Sequence, residues 1–413
     1  MQEQSAKSLP ISKKMVYKAY QRIKKNKGGA GVDNVSWSIF EKDKTNQLYK
    51  LWNRLSSGSY FPPPVRIVEI PKKDGISTRQ LGIPTIGDRI AQQVLKDYLE
   101  PRLEKIFSTH SYGYRPLKSA HQALSQVRAN VRWYPWVVDL DIAKFFDNMS
   151  HELLEKALSK HVQEKWVKMY IQRWLKVSYV PKEGKSFTKS QGVPQGGVIS
   201  PLLANLFLHY TLDKWLEIHH PNIPFVRYAD DLIVHCKSEN QARFILDKIN
   251  HRLSECKLTH HPQKTKIVYC QDYRRKKKGF PVKFDFLGFS FQPRATKPIG
   301  GTFFIGYDCA ISQQSKCSIY KQLRESPILK TSQVSMEDIA IELDSRIRGW
   351  IAYYGKFRKW ELSVVFNKLH QRLIKWVRKK YKMKSYKKAY AKLKGIKKQR
   401  PNLFYHWEVG YKI

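Results

Sequence analysis

Residues 225–234, FVRYADDLIV, place two adjacent carboxylates, Asp230 and Asp231, between two apolar segments. Segments 225–227 and 232–236 have the composition of β-strands, so the stretch predicts a hairpin with both carboxylates at its tip. Adjacent carboxylates repel each other and add nothing to packing. A hard cation with oxygen ligands, such as Mg²⁺, relieves that repulsion. The stretch therefore predicts a metal site, and an ordinary exposed turn is the simpler alternative.

A second acidic strand lies upstream of this hairpin. Residues 136–141, WVVDLD, are predicted as a buried strand, and alternation places Asp139 and Asp141 on the same face. A third carboxylate near the hairpin tip would allow two Mg²⁺ ions to bind about 3.5–4 Å apart. Such a pair activates a 3′-hydroxyl and stabilises a pyrophosphate leaving group. Alternation alone does not choose between Asp139 and Asp141.

The composition limits the class of protein. The 413 residues predict two to three domains, and 42% hydrophobic residues exclude wholesale disorder. A formal net charge of +42, from 76 Lys and Arg against 34 Asp and Glu, predicts a polyanionic partner. No apolar run reaches the about 18–20 residues of a membrane span, so we expect no membrane association. The five cysteines form no CxxC pair, which argues against a zinc ribbon or a disulfide framework.

Basic residues are concentrated in two segments. Residues 371–400 contain 14 Lys or Arg and no Asp or Glu, and aromatic residues lie among them. Apolar residues recur there at helical spacing, which predicts a pair of basic amphipathic helices. A second run, residues 274–278, is predicted as an exposed loop. Nucleic acid fits both segments, whereas a membrane-surface helix or an acidic protein partner would be the alternative.

Several ordered blocks resemble the motifs of group II intron-encoded reverse transcriptases. They begin with the fingers and palm motifs and end with a maturase, or thumb, motif: residues 70–84, 112–121, 138–147, 191–201, 228–231, 264–266, 286–289 and 346–354. The resemblance implies an α+β right-hand polymerase fold. Fingers and palm with an antiparallel sheet would occupy residues 1–292, and a basic helical thumb/maturase domain would occupy residues 293–413.

The resemblance also implies a role for each motif residue at the metal site. It selects Asp141 over Asp139, because the family places an aromatic residue five positions after the catalytic aspartate. Asp141 and Asp230 would be the main ligands of two Mg²⁺ ions, with Asp231 more peripheral. Ile142 would also belong to the metal site.

Nucleotide and nucleic-acid contacts follow from the same resemblance. Lys72 and Arg79 would bind the triphosphate of the dNTP substrate, and Gln195 would lie near nucleotide and template. Phe146 would exclude a 2′-hydroxyl as a steric gate, unless it is a plain core residue. Lys264 would lie near the active site, although an ordinary surface lysine fits the sequence as well. The residues expected to contact nucleic acid are Arg115, Lys264, Arg348, Lys375, Arg378, Lys379 and Lys380.

These inferences predict an RNA-directed DNA polymerase that binds group II intron RNA and assists its splicing and mobility. Its partners would be the intron RNA, an RNA template with a DNA or RNA primer, and target DNA, in a bacterial cytoplasm. We expect no zinc-bound endonuclease. Two alternatives remain: a splicing cofactor that binds RNA without polymerising, and a domesticated relative that serves defence or DNA repair. The sequence does not distinguish a monomer from a dimer.

Overall fold

The computed structural model describes residues 8–71, 78–297 and 301–412. The predicted triphosphate ligand Lys72 lies outside these ranges. The chain divides into two units. The first unit consists of three segments: Met1–Ser119, Val138–Val234 and Glu239–Lys266. The second unit consists of Ala120–Val137, His235–Ser238 and Ile267–Ile413.

The described residues form a mixed α+β fold. The helices are α1 Lys13–Lys24, α2 Trp37–Lys42, α3 Lys44–Ser56, α4 Ile86–Leu103, α5 Ala120–Asn130, α6 Phe145–Asn148, α7 His151–Ser159, α8 Lys165–Leu175, α9 Ser200–Leu208, α10 Lys214–His219, α11 Glu239–Glu255, α12 Gln313–Glu325, α13 Met336–Tyr354, α14 Ser363–Lys380, α15 Tyr386–Gln399 and α16 Tyr405–Glu408. The strands are β1 Val65–Pro71, β2 Thr78–Ile83, β3 Trp136–Asp141, β4 Ser178–Val180, β5 Phe187–Thr188, β6 Phe225–Tyr228, β7 Asp231–Cys236, β8 Lys266–Tyr269, β9 Phe284–Phe286, β10 Phe289–Thr296 and β11 Phe304–Ile311.

Several helices begin where a side chain satisfies a free backbone N–H. The Thr85 hydroxyl accepts a hydrogen bond from the Asp88 N–H at 3.2 Å and starts α4. A capping box starts α13: the Asp338 N–H donates to the Ser335 hydroxyl at 3.0 Å, and the Ser335 N–H donates to the Asp338 carboxylate at 2.8 Å. Such caps stabilise a helix by about 0.5–2 kcal/mol and define where it begins.

Two sheets contain the strands that precede β9. One has the strand order β2-β1-β4-β5 and is mixed, because β1 pairs antiparallel with β2 and parallel with β4. The other has the order β6-β7-β3-β8. In the second sheet β6 and β7 form the predicted antiparallel hairpin, in which Tyr228 pairs with Asp231. The predicted buried strand over residues 136–141 is β3, and Val137 and Val138 in it are fully buried.

One predicted helix is interrupted. Its apolar pattern, over residues 200–215, predicts a single helix, whereas the structure has α9, a π-helical turn at His209–Asp213 and then α10. The turn contains Asp213, whose side chain is completely buried. The apolar run gives no sign of such a turn. π-Helical turns of this kind often occur at functional sites.

The second unit combines a sheet with a helical core. Strands β9, β10 and β11 pair antiparallel, and β10 and β11 pair over their whole length, from Phe289–Ile311 to Thr296–Phe304. Helices α12 to α16 enclose an apolar core that contains Leu369, Leu373 and Trp376. The basic segment predicted as an amphipathic helix pair is α14 and α15. No helix among the described residues has the length and apolar character needed to cross a membrane.

Candidate functional site

The tip of the β6–β7 hairpin is a tight turn held by a neighbouring segment. Ala229 has a left-handed backbone with φ +56°. The Tyr112 N–H donates to the Arg227 carbonyl at 2.8 Å. A Cβ atom on Gly113 would lie 2.4 Å from the Ala229 nitrogen, so glycine is required there for the two backbones to approach. The family-like block over residues 112–121 therefore packs directly against the turn that carries Asp230 and Asp231.

The buried ion pair of Arg227 and Asp213 supports the same turn. The Arg227 guanidinium donates to both carboxylate oxygens of Asp213, at 2.6 and 2.5 Å, and both side chains are completely buried. The guanidinium also donates to the Asn205 side chain at 3.1 Å and to the Ala229 carbonyl at 3.0 Å. Two buried charges are tolerated when hydrogen bonds of this quality satisfy them. Sequence reasoning missed the pair, although an arginine in an otherwise apolar strand was a visible signal.

The carboxylates at the hairpin tip and at the end of β3 influence one another electrostatically. Burial, followed by the neighbouring charges of Asp230 and Asp141, raises the pKa of Asp231 to about 7. Burial also raises the pKa of Asp230, and the charge of Asp141 adds to the effect. The three residues that the family resemblance selected therefore lie within electrostatic reach of each other in the first unit. Among the described residues no group of three or more His, Cys, Asp or Glu side chains has the geometry of a metal site.

Two lysines balance part of this negative charge. The Lys264 ammonium donates to the Asp141 carboxylate at 2.8 Å. The Lys266 ammonium lies 3.7 Å from the Asp139 carboxylate. Lys264 is thus placed beside a catalytic candidate. Its side chain is 61% exposed, so it can move when another cation approaches Asp141.

The glycine-rich segment 191–197 packs against the residues that follow β3. The Val193 N–H donates to the Phe146 carbonyl at 2.7 Å. Gly192 has φ +85°, and a Cβ atom there would lie 2.6 Å from the Asp147 carbonyl oxygen. The Gln195 amide donates to the Asp147 carboxylate at 3.4 Å. These contacts attach the segment that carries Gln195 to Phe146 and Asp147. The roles predicted for Gln195 and Phe146 remain predictions.

Phe146 is distinct from the core phenylalanine next to it. Phe145 is 2% exposed and packs in the core, whereas Phe146 is only partly buried. Their rings meet edge to face, with centroids 5.4 Å apart. Phe146 therefore has ring surface available for a ligand, which a plain core residue would lack.

Strand β2 adds Arg79 to this region. The Gly82 N–H of β2 donates to the Gln195 carbonyl at 2.6 Å, so the strand lies against the glycine-rich segment. The Arg79 side chain is exposed, and its charge lowers the pKa of Asp230 against the larger effect of burial. Arg79 thus lies within electrostatic reach of the carboxylates.

The residues expected to contact nucleic acid differ in their surroundings. Arg115 is 5% exposed; it pairs with Glu104 at 2.6 Å and donates to the Ser111 carbonyl at 2.7 Å, so it holds the turn before Tyr112. Arg348 is 55% exposed, pairs with Asp344 at 2.8 Å and lies over the Tyr405 ring. The roles predicted for these two arginines remain predictions.

The four basic residues predicted on α14 are not equivalent. Lys375 and Arg378 are exposed. Lys379 donates to the Lys330 carbonyl at 2.9 Å, and Lys380 donates to the Val334 carbonyl at 3.0 Å. The last two therefore also hold the helix against the segment before α13, a task that their charge alone did not indicate.

Comparison with known proteins identifies both parts of the chain. The family described as reverse transcriptase (RNA-dependent DNA polymerase) matches residues 70–291, and the group II intron, maturase-specific domain matches residues 318–394. The group II intron-encoded protein LtrA of Lactococcus lactis subsp. cremoris is 32% identical over 269 residues, which cover 64% of this chain and 42% of LtrA. Protein YkfC of Escherichia coli is 31% identical over 280 residues, which cover 59% of this chain and 73% of YkfC.

A yeast protein gives a longer but weaker match. The putative COX1/OXI3 intron 1 protein of Saccharomyces cerevisiae is 27% identical over 341 residues, which cover 70% of this chain and 40% of that protein. This chain thus spans less than half the length of LtrA and of the yeast protein. The resemblance inferred from the motifs is confirmed. The chain belongs to the reverse transcriptase family, and its reverse transcriptase domain is followed by a group II intron maturase-specific domain.

Proposed function

We propose that the chain is an RNA-directed DNA polymerase that also binds group II intron RNA and assists its splicing and mobility. The observation that carries the proposal is the crowding of Asp141, Asp230 and Asp231 in the first unit. Burial together with mutual repulsion raises the pKa values of Asp230 and Asp231. A protein that only bound RNA would gain nothing from three carboxylates close to a polyanion.

The three carboxylates would supply oxygen ligands for two magnesium ions. Their oxygens are the ligands that Mg²⁺ prefers, and the unfavourable repulsion between them is what bound cations would relieve. Asp141, Asp230 and Asp231 would hold the ions, together with Ile142. When bound, the ions supply an activated 3′-hydroxyl and stabilise the pyrophosphate leaving group.

The remaining side chains bind and orient the substrates. Lys264 pairs with Asp141 until the site is occupied. Arg79 would bind the triphosphate of the incoming dNTP, because a guanidinium can form two parallel hydrogen bonds to phosphate oxygens. Phe146 would lie against the sugar and exclude a 2′-hydroxyl, and Gln195 would position nucleotide and template. Lys72 would act with Arg79.

The division into polymerase and maturase parts supports the choice of partners. We place fingers and palm in residues 1–292 and the basic helical thumb/maturase domain in residues 293–413. The maturase-specific match and the basic helices α14 and α15 support intron RNA as the partner of the second region. An RNA template with its DNA or RNA primer, and target DNA, would be bound by the same excess of positive charge.

The experiment compares two aspartates on one strand. Asp141→Asn should reduce Mg²⁺-dependent primer extension on an RNA template by about three orders of magnitude, because a lost metal ligand removes several kcal/mol of charge stabilisation. Asp139→Asn, two residues earlier on the same strand, is the matched control and should keep most activity. Equal losses of primer extension in both variants would mean that the negative charge of the strand matters in general and that Asp141 has no specific role. Undiminished extension by Asp141→Asn would refute the proposed metal site.

A further inference from the structure

A cavity in the second unit is lined by residues outside the sequence blocks that resemble the reverse transcriptase and maturase motifs. It has a volume of about 330 Å³ and lies between the end of α5, the turn at residues 272–274 and the β10–β11 hairpin. This volume is at the lower end of the about 300–1,000 Å³ range of small-ligand sites. The cavity therefore has room for a small group such as one nucleotide base.

Exposed aromatic rings line the cavity. Trp133 is 79% exposed and Tyr273 is 53% exposed. The Tyr273 ring meets Phe304 edge to face with centroids 5.4 Å apart, and the Tyr273 N–H donates to the Ile305 carbonyl at 2.8 Å. The Phe304 ring thus contacts the Tyr273 ring, the Arg274 guanidinium lies over it at 5.3 Å from the centroid, and the residue stays 53% exposed. Large rings held in this way form platforms on which bases stack.

The charges around the cavity are positive in balance. Its two acidic residues are buried and paired: Asp272 lies 2.9 Å from Arg274, and Asp308 lies 2.6 Å from Arg128. Arg132 also lines the cavity, is exposed, and has a side chain without a hydrogen bond or ion pair among the described residues. Its charge is therefore available to a ligand.

The Arg275 side chain holds the walls of the cavity together. The Arg275 guanidinium donates to the Val131 carbonyl at 2.8 Å, and it also donates to the Arg132 carbonyl. These bonds attach the loop that carries Trp133 to the turn that carries Tyr273. A site organised before its ligand arrives loses less entropy on binding.

We propose that this cavity binds an unpaired nucleotide of RNA. The base would stack on Tyr273 or Trp133, and its phosphate would lie near Arg132 and Arg274. RNA is favoured over an acidic protein because stacking platforms and arginines are combined in one small pocket, which is how single-stranded nucleic acid is bound. The inference rests on the proposed function, in that the chain is taken to bind intron RNA.

Binding of a labelled single strand tests the proposal. The probe is a fluorescein-labelled 12-nucleotide oligo(A) RNA, added to the full chain in the presence of saturating unlabelled blunt RNA–DNA duplex, which occupies the polymerisation site. Trp133→Ala and Tyr273→Ala should each weaken binding about 5- to 150-fold, the range expected for loss of one stacked base. Tyr273→Phe should restore most of the affinity.

The control and a charge variant separate stacking from unfolding. Trp360→Ala removes a tryptophan that is 63% exposed in the same unit but lies outside the cavity, and it should leave the affinity unchanged. Arg132→Gln should flatten the slope of log K against log salt by about 0.7, as expected for one phosphate on a single strand. Trp133 is largely exposed, so its variant should fold even if Tyr273→Ala does not.

Two kinds of result would overturn the proposal. Wild-type affinity of Trp133→Ala for oligo(A) would show that no base stacks there. An equal loss in affinity for the blunt duplex would show a general defect in nucleic-acid binding and not the loss of a site for an unpaired nucleotide. Primer extension, measured in parallel, distinguishes the two proposals. Unchanged oligo(A) binding by the cavity variants, together with normal primer extension, would reject only the cavity proposal. Absence of primer extension by the wild-type protein would reject the proposed function.

Discussion

The buried pair of Arg227 and Asp213 gives the sharpest prediction about the turn that carries Asp230 and Asp231. Arg227→Met removes two hydrogen bonds to Asp213 and leaves that carboxylate buried without a partner. Asp213→Leu leaves the guanidinium in the same situation. Breaking a buried pair in this way costs about 3–5 kcal/mol. Each single variant should therefore lose about that much free energy of unfolding and much of its primer extension, because the turn that carries Asp230 loses its support.

The double variant Arg227→Met with Asp213→Leu separates the pair from its surroundings. It leaves no uncompensated charge, and only Asn205 and the Ala229 carbonyl lose a hydrogen-bond partner. Two such losses amount to about 2–6 kcal/mol, which is less than the about 6–10 kcal/mol expected for two independent changes. Urea unfolding of all four proteins, followed by circular dichroism, measures this coupling. Additive losses in the double variant would refute the assigned pair.

Three further predictions concern other parts of the chain. Phe146→Ala should let ribonucleotides compete with deoxyribonucleotides in single-nucleotide insertion, because the proposed exclusion is steric, and an unchanged sugar preference would return Phe146 to a packing role. Replacing Lys375, Lys382, Lys384 and Lys387 by Gln should flatten the salt dependence of RNA binding by up to about 3 in log K per decade of salt. Lys379 and Lys380 are kept because they also hold backbone carbonyls, and equal slopes would mean that the four lysines face bulk solvent. Burial lowers the pKa of His370 to about 4, below its usual 6.5. Between these pH values this histidine binds more protons in the unfolded chain than in the folded chain. Its contribution to the free energy of unfolding should therefore fall as the pH falls. From pH 8 to pH 5 this contribution should fall by about 2 kcal/mol. The raised pKa of Asp231 acts with the opposite sign, so urea unfolding at both pH values compares the wild type with His370→Gln, which keeps Asp231 and should lack the loss due to His370. His251→Ala (77% exposed) should behave like the wild type, and an equal pH dependence of wild type and His370→Gln would contradict the buried neutral histidine.

Sequence periodicity predicted the elements whose pattern is local. The alternation in residues 136–141 gave the limits of β3, and the apolar positions among the lysines of 371–400 predicted α14 and α15. The hairpin around Asp230 was predicted for the same reason, since two apolar segments flanked a short polar turn. In each case neighbouring residues carry all the information that the element needs.

Features that depend on contacts between distant segments could not be predicted from the sequence. Asp213 and Arg227 are an acidic residue in an apolar helix and a basic residue in an apolar strand, and only the fold shows that each compensates the other. The need for glycine at position 113 depends on the backbone of Ala229. The cavity beside Tyr273 is built from three segments that lie far apart in the chain. The metal site at Asp230 and Asp231 was predicted from the adjacent carboxylates, and the family resemblance selected Asp141 and the nucleotide ligands. All of these assignments stay predictions.

RNA-templated primer extension by wild type and Asp230→Asn is the most direct test of the central claim. Both proteins would be supplied with a DNA primer on an RNA template, dNTPs and Mg²⁺, and the affinity for the primer–template would be measured in parallel. We expect extension by the wild type, a loss of about three orders of magnitude in the variant, and nearly equal affinities for the primer–template. Extension by Asp230→Asn at the wild-type rate, or none by well-folded wild type, would contradict the claim.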